Sequence, residues 1–179
     1  MTMDIVRRRA GPTGCGVLAL AMAGLLGGCL GEAAGPPRVG EPAREYAATN
    51  LMGEEVALSD LRGKVVLLNL WATWCAPCRT ETPYLQSLYE EMGERGFEIV
   101  GISMDTGDAA DAVELFVAEY AVSYTILHDP QMRGMELYQV LGLPATFLID
   151  RDGVLRWLRY GPIHEGDEDF LRALEDALS

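Results

Sequence analysis

The stretch Trp74-Cys75-Ala76-Pro77-Cys78 follows an apolar run at 65–71 and precedes a helical pattern at 79–92. The apolar run is typical of a strand that is buried on both faces. A helix N-terminus carries partial positive charge and unpaired N–H groups, which stabilise a thiolate. The stretch therefore predicts an exposed, attacking thiolate at Cys75. It also predicts a resolving thiol at Cys78, which closes a disulfide with Cys75.

A Cys-x-x-Cys pair is also half of a zinc site or a short structural bridge. A zinc site needs two more ligands, and the remaining candidates are Cys15, Cys29, His128 and His164, none at ligand spacing. A bridge over two residues would add little, because disulfide stabilisation grows with the length of the closed loop. The redox interpretation is favoured, no metal site is predicted, and both histidines are expected at the surface.

The N-terminal segment has the features of a secretory signal. Three arginines at 7–9 precede an apolar run at 17–26 and small residues before Cys29. Leu26-Gly27-Gly28-Cys29 resembles the bacterial lipoprotein box, in which the cysteine is lipidated and becomes the new N-terminus. The alternatives are a cleaved, soluble protein and an uncleaved anchor. The apolar run suits an uncleaved, membrane-spanning anchor poorly, because it is short and interrupted by glycine.

Three segments follow from this interpretation. Residues 1–28 are a lipoprotein signal peptide. Residues 29–44 are the lipidated cysteine and a flexible tether, since 30–44 are rich in glycine and proline. Residues 45–179 are a single folded domain, which we expect outside the cytoplasm, on the periplasmic face of a membrane or outside the cell.

The charge of the chain limits its partners. The net charge is −13, and removal of residues 1–28, which hold three arginines and one aspartate, makes it −15. Nucleic-acid binding needs basic clusters, so nucleic acid is excluded as a partner. A polybasic contact with a membrane surface is disfavoured for the same reason.

The folded part alternates strands with helices. Short edge strands are expected within 46–57, and a polar turn with a possible short helix at 58–64. An Asp-Gly step at 152–153 predicts a hairpin. Together the elements predict an α/β fold with a mixed central sheet and helices on both faces. The main strands are predicted at 65–70, 97–103, 124–127, 145–149 and 154–160, and the helices at 79–92, 105–120, 131–140 and 168–178.

Four segments together resemble the TlpA/ResA-like family of thioredoxin-fold, membrane-tethered thiol–disulfide oxidoreductases. The resemblance covers about residues 40–179, and 105–130 resembles that family's helix-and-strand insertion. The matching segments are 58–66, Trp71-Ala72-Thr73-Trp74-Cys75-Ala76-Pro77-Cys78-Arg79, the acid-x-Pro of Glu81 and Pro83, and Gly142-Leu143-Pro144-Ala145-Thr146-Phe147.

Glu81 lies three residues after Cys78, on the same helix face. If that face points inward, desolvation raises the pKa of Glu81, which can then accept the proton of Cys78. The alternative is an ordinary solvated glutamate. Asn69 stands where plain thioredoxin holds a buried aspartate, so any buried base must come from elsewhere.

The resemblance also implies a partner-binding surface. Pro144 is expected to be a cis-proline that exposes a backbone edge at Leu143 to a partner strand. Ala76 and Pro77, between the cysteines, are expected to face the substrate, and Ala76 departs from the Glu or Pro of several members. Trp74 is expected at the rim of this surface, and Trp71 in the core.

The function that the resemblance implies is reduction of disulfides in exported proteins, such as apocytochrome c or copper-site assembly proteins. Electrons would come from a membrane thiol donor. The disulfide itself would be the redox group, so no bound cofactor is expected. A monomer is expected. Two alternatives are a copper chaperone, which would use Cys-x-x-x-Cys, and a thiol peroxidase. Only Thr73, shortly before Cys75, fits a peroxidase site.

Overall fold

The computed structural model describes residues 35–179, which form seven strands and four α-helices. Two short 3-10 helices, Leu58–Leu61 and Gly93–Arg95, lie between them. The strands are β1 (Ala47–Thr49), β2 (Glu55–Ala57), β3 (Val65–Trp71), β4 (Phe97–Ser103), β5 (Thr125–His128), β6 (Ala145–Ile149) and β7 (Leu155–Tyr160). The helices are α1 (Ala76–Met92), α2 (Ala110–Glu119), α3 (Arg133–Tyr138) and α4 (Glu168–Leu178).

The central sheet has the strand order β5-β4-β3-β6-β7. Strands β3, β4 and β5 run parallel, whereas β6 is antiparallel to β3 and β7 is antiparallel to β6. In this register Leu70, near the end of β3, lies opposite Ala145, at the start of β6. The segment after β3 and the loop before β6 therefore meet at one end of the sheet. That end holds both the cysteine pair and Pro144.

Every residue of β3 is buried, as the continuous apolar run predicts. Alternate residues point to opposite faces of the sheet, so β3 contributes to two cores. Val65, Leu67 and Trp71 pack in a core with residues of α1, α2 and α4. Val66, Leu68 and Leu70 pack in a second core with residues of α3 and β1. The predicted mixed sheet with helices on both faces is confirmed.

Three of the helices have bounds that differ from the predicted ones. α1 begins at Ala76 rather than residue 79, because Cys75 caps it and Pro77 fits its first turn. α2 begins at Ala110 rather than residue 105, since the residues before it form a loop at the end of β4. α3 covers only Arg133–Tyr138, between two residues with left-handed backbone, Met132 and Gln139.

The N-terminal boundary of the fold also differs from the predicted one. The backbone N–H of Gly40 donates to Leu155 at 2.8 Å, and that of Ala43 donates to Gly153 at 2.9 Å. Residues 40–43 therefore lie on the β6–β7 hairpin, and the predicted tether is wrong in including them. The predicted signal peptide and Cys29 lie outside the described residues.

The short strands β1 and β2 pair with each other in a separate sheet rather than extending the central one. A single bridge between Asn50 and Leu127 connects them to β5. Within residues 35–179, no helix has both the length and the apolar character needed to cross a bilayer.

Candidate active site

Cys75 caps the N-terminus of α1, directly after the loop that leaves β3. Its sulfur accepts a hydrogen bond from the backbone N–H of Cys78 at 3.3 Å. Cys75 and Cys78 are joined by a disulfide, with their Cα atoms 5.3 Å apart. The predicted redox pair is thus formed at the N-terminus of a 17-residue helix, where unpaired N–H groups favour a thiolate on Cys75 after reduction.

Cys75 is only 5 % exposed, so the prediction of an exposed sulfur is wrong for the oxidised protein. The reason is that the disulfide holds the sulfur of Cys75 against Cys78, which is fully buried. The Cys75 side chain is thereby part of the core against which Leu143 packs. The residues around it remain accessible: Trp74 is 69 % exposed, and Ala76 and Pro77 are exposed. Trp71 is buried, as predicted.

The Leu143–Pro144 peptide bond is cis, as the resemblance implied. Pro144 is buried and its carbonyl accepts a hydrogen bond from Gly161 at 2.8 Å, while Leu143 is half-buried. The loop leads into β6, beside β3, and lines one side of a groove. Leu141, in the same groove, is fully exposed. The lining residues are Gln139, Leu141, Gly142, Leu143, Pro144, Tyr160 and Gly161.

Glu81 lies inside the protein, one helical turn after Cys78, and is only 2 % exposed. Its Oε1 accepts a hydrogen bond from Asn69 Nδ2 at 3.0 Å, and its Oε2 accepts one from the backbone N–H of Ile163 at 2.8 Å. Asn69 also donates to Thr146 Oγ1 at 2.9 Å. Both carboxyl oxygens of Glu81 are therefore paired with neutral donors from two other elements.

Burial raises the pKa of Glu81 from 4.5 to about 7, because desolvation outweighs the two hydrogen bonds from Ile163 and Asn69. The solvated alternative for Glu81 is excluded. A group with a pKa near neutrality can both accept and release a proton at physiological pH. Asn69 cannot titrate, so Glu81 supplies the ionisable group of this buried network.

Sequence reasoning missed the buried carboxyl side chain of Asp105, which is 3 % exposed. It accepts two hydrogen bonds from Thr73, in the loop between β3 and Cys75. The sequence predicts both strands, and the structure pairs β3 and β4 in parallel, so the residues that follow them meet at the same edge of the sheet. Arg79, the last residue of the active-site motif, donates to the carbonyl of Thr73 at 3.4 Å.

The two histidines do not form part of the site. His164 is exposed, and His128 is half-buried with its Nε2 3.1 Å from the main-chain oxygen of Asp105. Among the described residues, no group of three or more His, Cys, Asp or Glu side chains is arranged to hold a metal ion.

Comparison with known proteins gives the family of this chain. Residues 39–158 match the family model described as AhpC/TSA. The chain belongs to the AhpC/TSA family. Its curated relatives include the thiol-disulfide oxidoreductase ResA of Geobacillus kaustophilus, which is 39 % identical over 137 residues, covering 76 % of each chain. The protein of the same name from Bacillus cereus is 36 % identical, over 76 % of this chain and 78 % of the relative.

Solved structures agree with the fold. The structure described as a thiol:disulfide interchange protein DsbE from Chlorobium tepidum matches with a TM-score of 0.73 and 32 % identity, over 80 % of this chain and 99 % of that one. The thioredoxin domain of a thiol-disulfide oxidoreductase from Bacteroides vulgatus matches with a TM-score of 0.68 and 26 % identity, over 79 % and 99 %. The resemblance to ResA-like oxidoreductases and the thioredoxin-like fold are confirmed.

The protein is therefore a thiol–disulfide oxidoreductase, with the Cys75–Cys78 disulfide as its redox centre. The structure brings the predicted residues together at one end of the sheet: the cysteine pair and Trp74 on one side, and Leu143 and Pro144 on the other. Glu81 lies behind them in the core. The catalytic roles of Glu81 and Pro144 stay predictions.

Proposed function

We propose that this protein is an extracytoplasmic, lipid-anchored reductase of disulfides in exported proteins. Support for the location comes from the signal-like residues 1–28 and the lipoprotein-like box that ends at Cys29. Support for the reductive direction comes from the resemblance to the TlpA/ResA-like group. Substrates of the apocytochrome c or copper-site assembly type, and a membrane thiol donor, belong to the same proposal.

Reduction begins with the Cys75 thiolate, which attacks one sulfur of the substrate disulfide. A Cys75–substrate disulfide forms and the first substrate thiolate leaves. Cys78 then loses its proton and attacks the Cys75 sulfur, so that the Cys75–Cys78 disulfide forms and the second substrate thiolate leaves. Two electrons pass to the substrate, and the membrane thiol donor restores the dithiol.

The observation that carries this mechanism is the buried carboxyl of Glu81, one turn of α1 after Cys78. Cys78 is fully buried, so water has poor access to its thiol and an internal proton acceptor is needed. The raised pKa of Glu81, about 7, lets the carboxylate take this proton without holding it too tightly. The exposed side chains Trp74, Ala76 and Pro77 and the half-buried Leu143 border the surface where a partner would dock.

The decisive experiment is trapping in cells with Cys78→Ser. This variant retains the attacking thiol but cannot resolve, so it should accumulate mixed disulfides with exported proteins. The double variant Cys75→Ser/Cys78→Ser is the matched control and should trap nothing. Absence of trapped partners with the single variant, or equal reductase activity of wild type and Cys75→Ser, would refute the proposed mechanism.

The role of Glu81 has its own measurement. The rate at which a preformed Cys75 mixed disulfide resolves should rise with pH through about 7 in the wild type, because only the ionised carboxylate accepts a proton. Glu81→Gln should be slower at neutral pH and lack this step in the profile. An unchanged profile would assign Glu81 a structural role.

The copper-chaperone and peroxidase alternatives are tested with the purified protein. Tight binding in a copper(I) titration of the reduced protein would favour the chaperone. Consumption of hydrogen peroxide with a thiol reductant, lost in Cys75→Ser, would favour the peroxidase. We expect neither, and efficient reduction of a protein disulfide.

A further inference from the structure

The loop that presents the attacking cysteine is a tight turn. The backbone N–H of Cys75 donates to the carbonyl of Ala72 at 3.1 Å, so Thr73 and Trp74 are the two central residues of this turn. Four residues thus connect the buried end of β3 to the N-terminus of α1. A change in the backbone of Thr73 would move both the exposed Trp74 and the sulfur of Cys75.

Asp105 accepts hydrogen bonds from both donors of Thr73. The backbone N–H of Thr73 donates to Oδ2 at 3.0 Å, and its hydroxyl donates to Oδ1 at 2.6 Å. The hydroxyl of Ser103 donates to the same Oδ2 at 2.8 Å. Within residues 35–179 no ion pair is formed by Asp105. Its side chain is therefore satisfied by hydroxyl and backbone donors, two of which belong to the active-site turn.

Arg79 contacts the remaining polar group of Thr73, its carbonyl oxygen. Its Nη1 donates to the carbonyl of Thr73, while its Nη2 binds Glu119 of the insertion helix α2 at 3.0 Å. The guanidinium also lies over the rings of Phe116 and Tyr120, at 5.4 and 5.3 Å from their centroids. The N–H, the hydroxyl and the carbonyl of Thr73 are thus all engaged by groups outside the turn.

We propose that Asp105 is a positioning residue for thiol–disulfide exchange, because it fixes Thr73 and thereby holds Cys75 over the N-terminus of α1. Asp105 takes no part in the transfer of protons or electrons. Its effect is on the geometry of attack: displacement of a reacting atom by about 1 Å can cost a factor of about a hundred in rate. The proposal concerns the exchange activity itself and is independent of the lipid anchor and of the exported substrate.

The test uses Thr73→Val, which keeps the size of the side chain and the charge of the site but removes the hydroxyl donor. We expect the rate constant for reduction of a protein disulfide to fall about tenfold, since a hydrogen bond to a charged acceptor contributes about that factor or more. Thr73→Ser retains the hydroxyl and should remain within about twofold of the wild type. Asp105→Asn loses one of the two acceptor oxygens and should be slower than Thr73→Val.

Ser103→Ala is the matched control. It removes a hydrogen bond to the same carboxylate without touching the turn, so it should exchange at about the wild-type rate, even if its unfolding midpoint decreases. The titration of Cys75 in the reduced protein separates positioning from stability. In Thr73→Val the pKa of this thiol should rise, because a displaced thiolate loses the N–H donor of Cys78 and the field of the helix terminus.

Two results would overturn the proposal. One is a folded Thr73→Val that exchanges disulfides as fast as the wild type, with an unchanged Cys75 titration. The other is an equal loss of rate in Ser103→Ala and Thr73→Val, which would make Asp105 an element of general stability. Because Thr73 is only half-buried, Thr73→Val provides the answer even if Asp105→Asn does not fold.

Discussion

Replacement of Glu81 by glutamine should change how the stability of the oxidised protein depends on pH. The folded protein holds this carboxyl at a pKa of about 7, against 4.5 when it is solvated, because burial penalises the charge. Below pH 4.5 the group is protonated in both the folded and the unfolded chain and has no pH-dependent effect. As the pH rises toward 7, only the unfolded chain gains by ionising, so the folded state loses stability.

The magnitude follows from the two pKa values. A difference of one in pKa corresponds to 1.36 kcal/mol, so the wild type should lose about 3 kcal/mol of unfolding free energy through this group between pH 4.5 and pH 7. Glutamine cannot ionise. Like the protonated acid, it stays neutral at every pH. Its single carbonyl oxygen can accept from only one of the two N–H donors, Asn69 and Ile163, and this loss of a hydrogen bond does not depend on pH.

The assay is urea unfolding of the oxidised domain at several pH values from 4 to 8, for wild type, Glu81→Gln and Glu91→Gln. Glu91 lies on the same helix and is exposed, so its variant controls for the loss of one negative charge. The stability of Glu81→Gln relative to wild type should increase by about 3 kcal/mol across this range, and that of Glu91→Gln should change little. If both differences stay constant with pH, the reasoning about Glu81 is wrong.

Three further changes have defined outcomes. Asn69→Ala removes a donor that lowers the pKa of folded Glu81, so the upper end of the pH range over which stability is lost should move upward in the same urea series; an unmoved upper end would contradict the hydrogen bond. Gly101→Ala would place a Cβ 2.8 Å from Ile126 Cδ1 inside the core, and should lower the unfolding free energy by about 1–3 kcal/mol in urea at fixed pH. Cys29→Ala should release the protein from the membrane fraction, or leave it unprocessed, whereas a processed, membrane-bound variant would contradict the proposed lipid anchor.

The elements predicted best are those with a strong local pattern. The strand at 97–103 and the helix at 168–178 have the predicted bounds, since an uninterrupted apolar run and an apolar helical stripe both identify an element within a single segment. The disulfide follows from the spacing of Cys75 and Cys78, from their place between a strand and a helix, and from the absence of further Cys or His at zinc-ligand spacing in the sequence. The inward position of Glu81 followed from helical spacing only after the resemblance indicated which face is buried.

The features that were missed depend on contacts between distant segments. The attachment of residues 40–43 joins them to residues more than a hundred positions later, which no local pattern encodes. The hydrogen bonds from Thr73 to Asp105 require the parallel pairing of β3 and β4. The burial of Cys75 reflects the core that it joins once its disulfide is closed. In each case the sequence shows the chemistry of the residue but not which distant residue it contacts.

The attachment of residues 40–43 to the β6–β7 hairpin has a mechanical consequence. The hairpin lies at the end of β6 that faces the start of β3, whereas the cysteine pair follows the end of β3. Seven strand residues separate the two ends of β3, a length of roughly 20 Å. Residues 40–43 therefore join the domain at the end of the sheet opposite the cysteine pair. If Cys29 carries the proposed lipid, shortening the segment between Cys29 and Gly40 should limit how far from the bilayer the domain can reach.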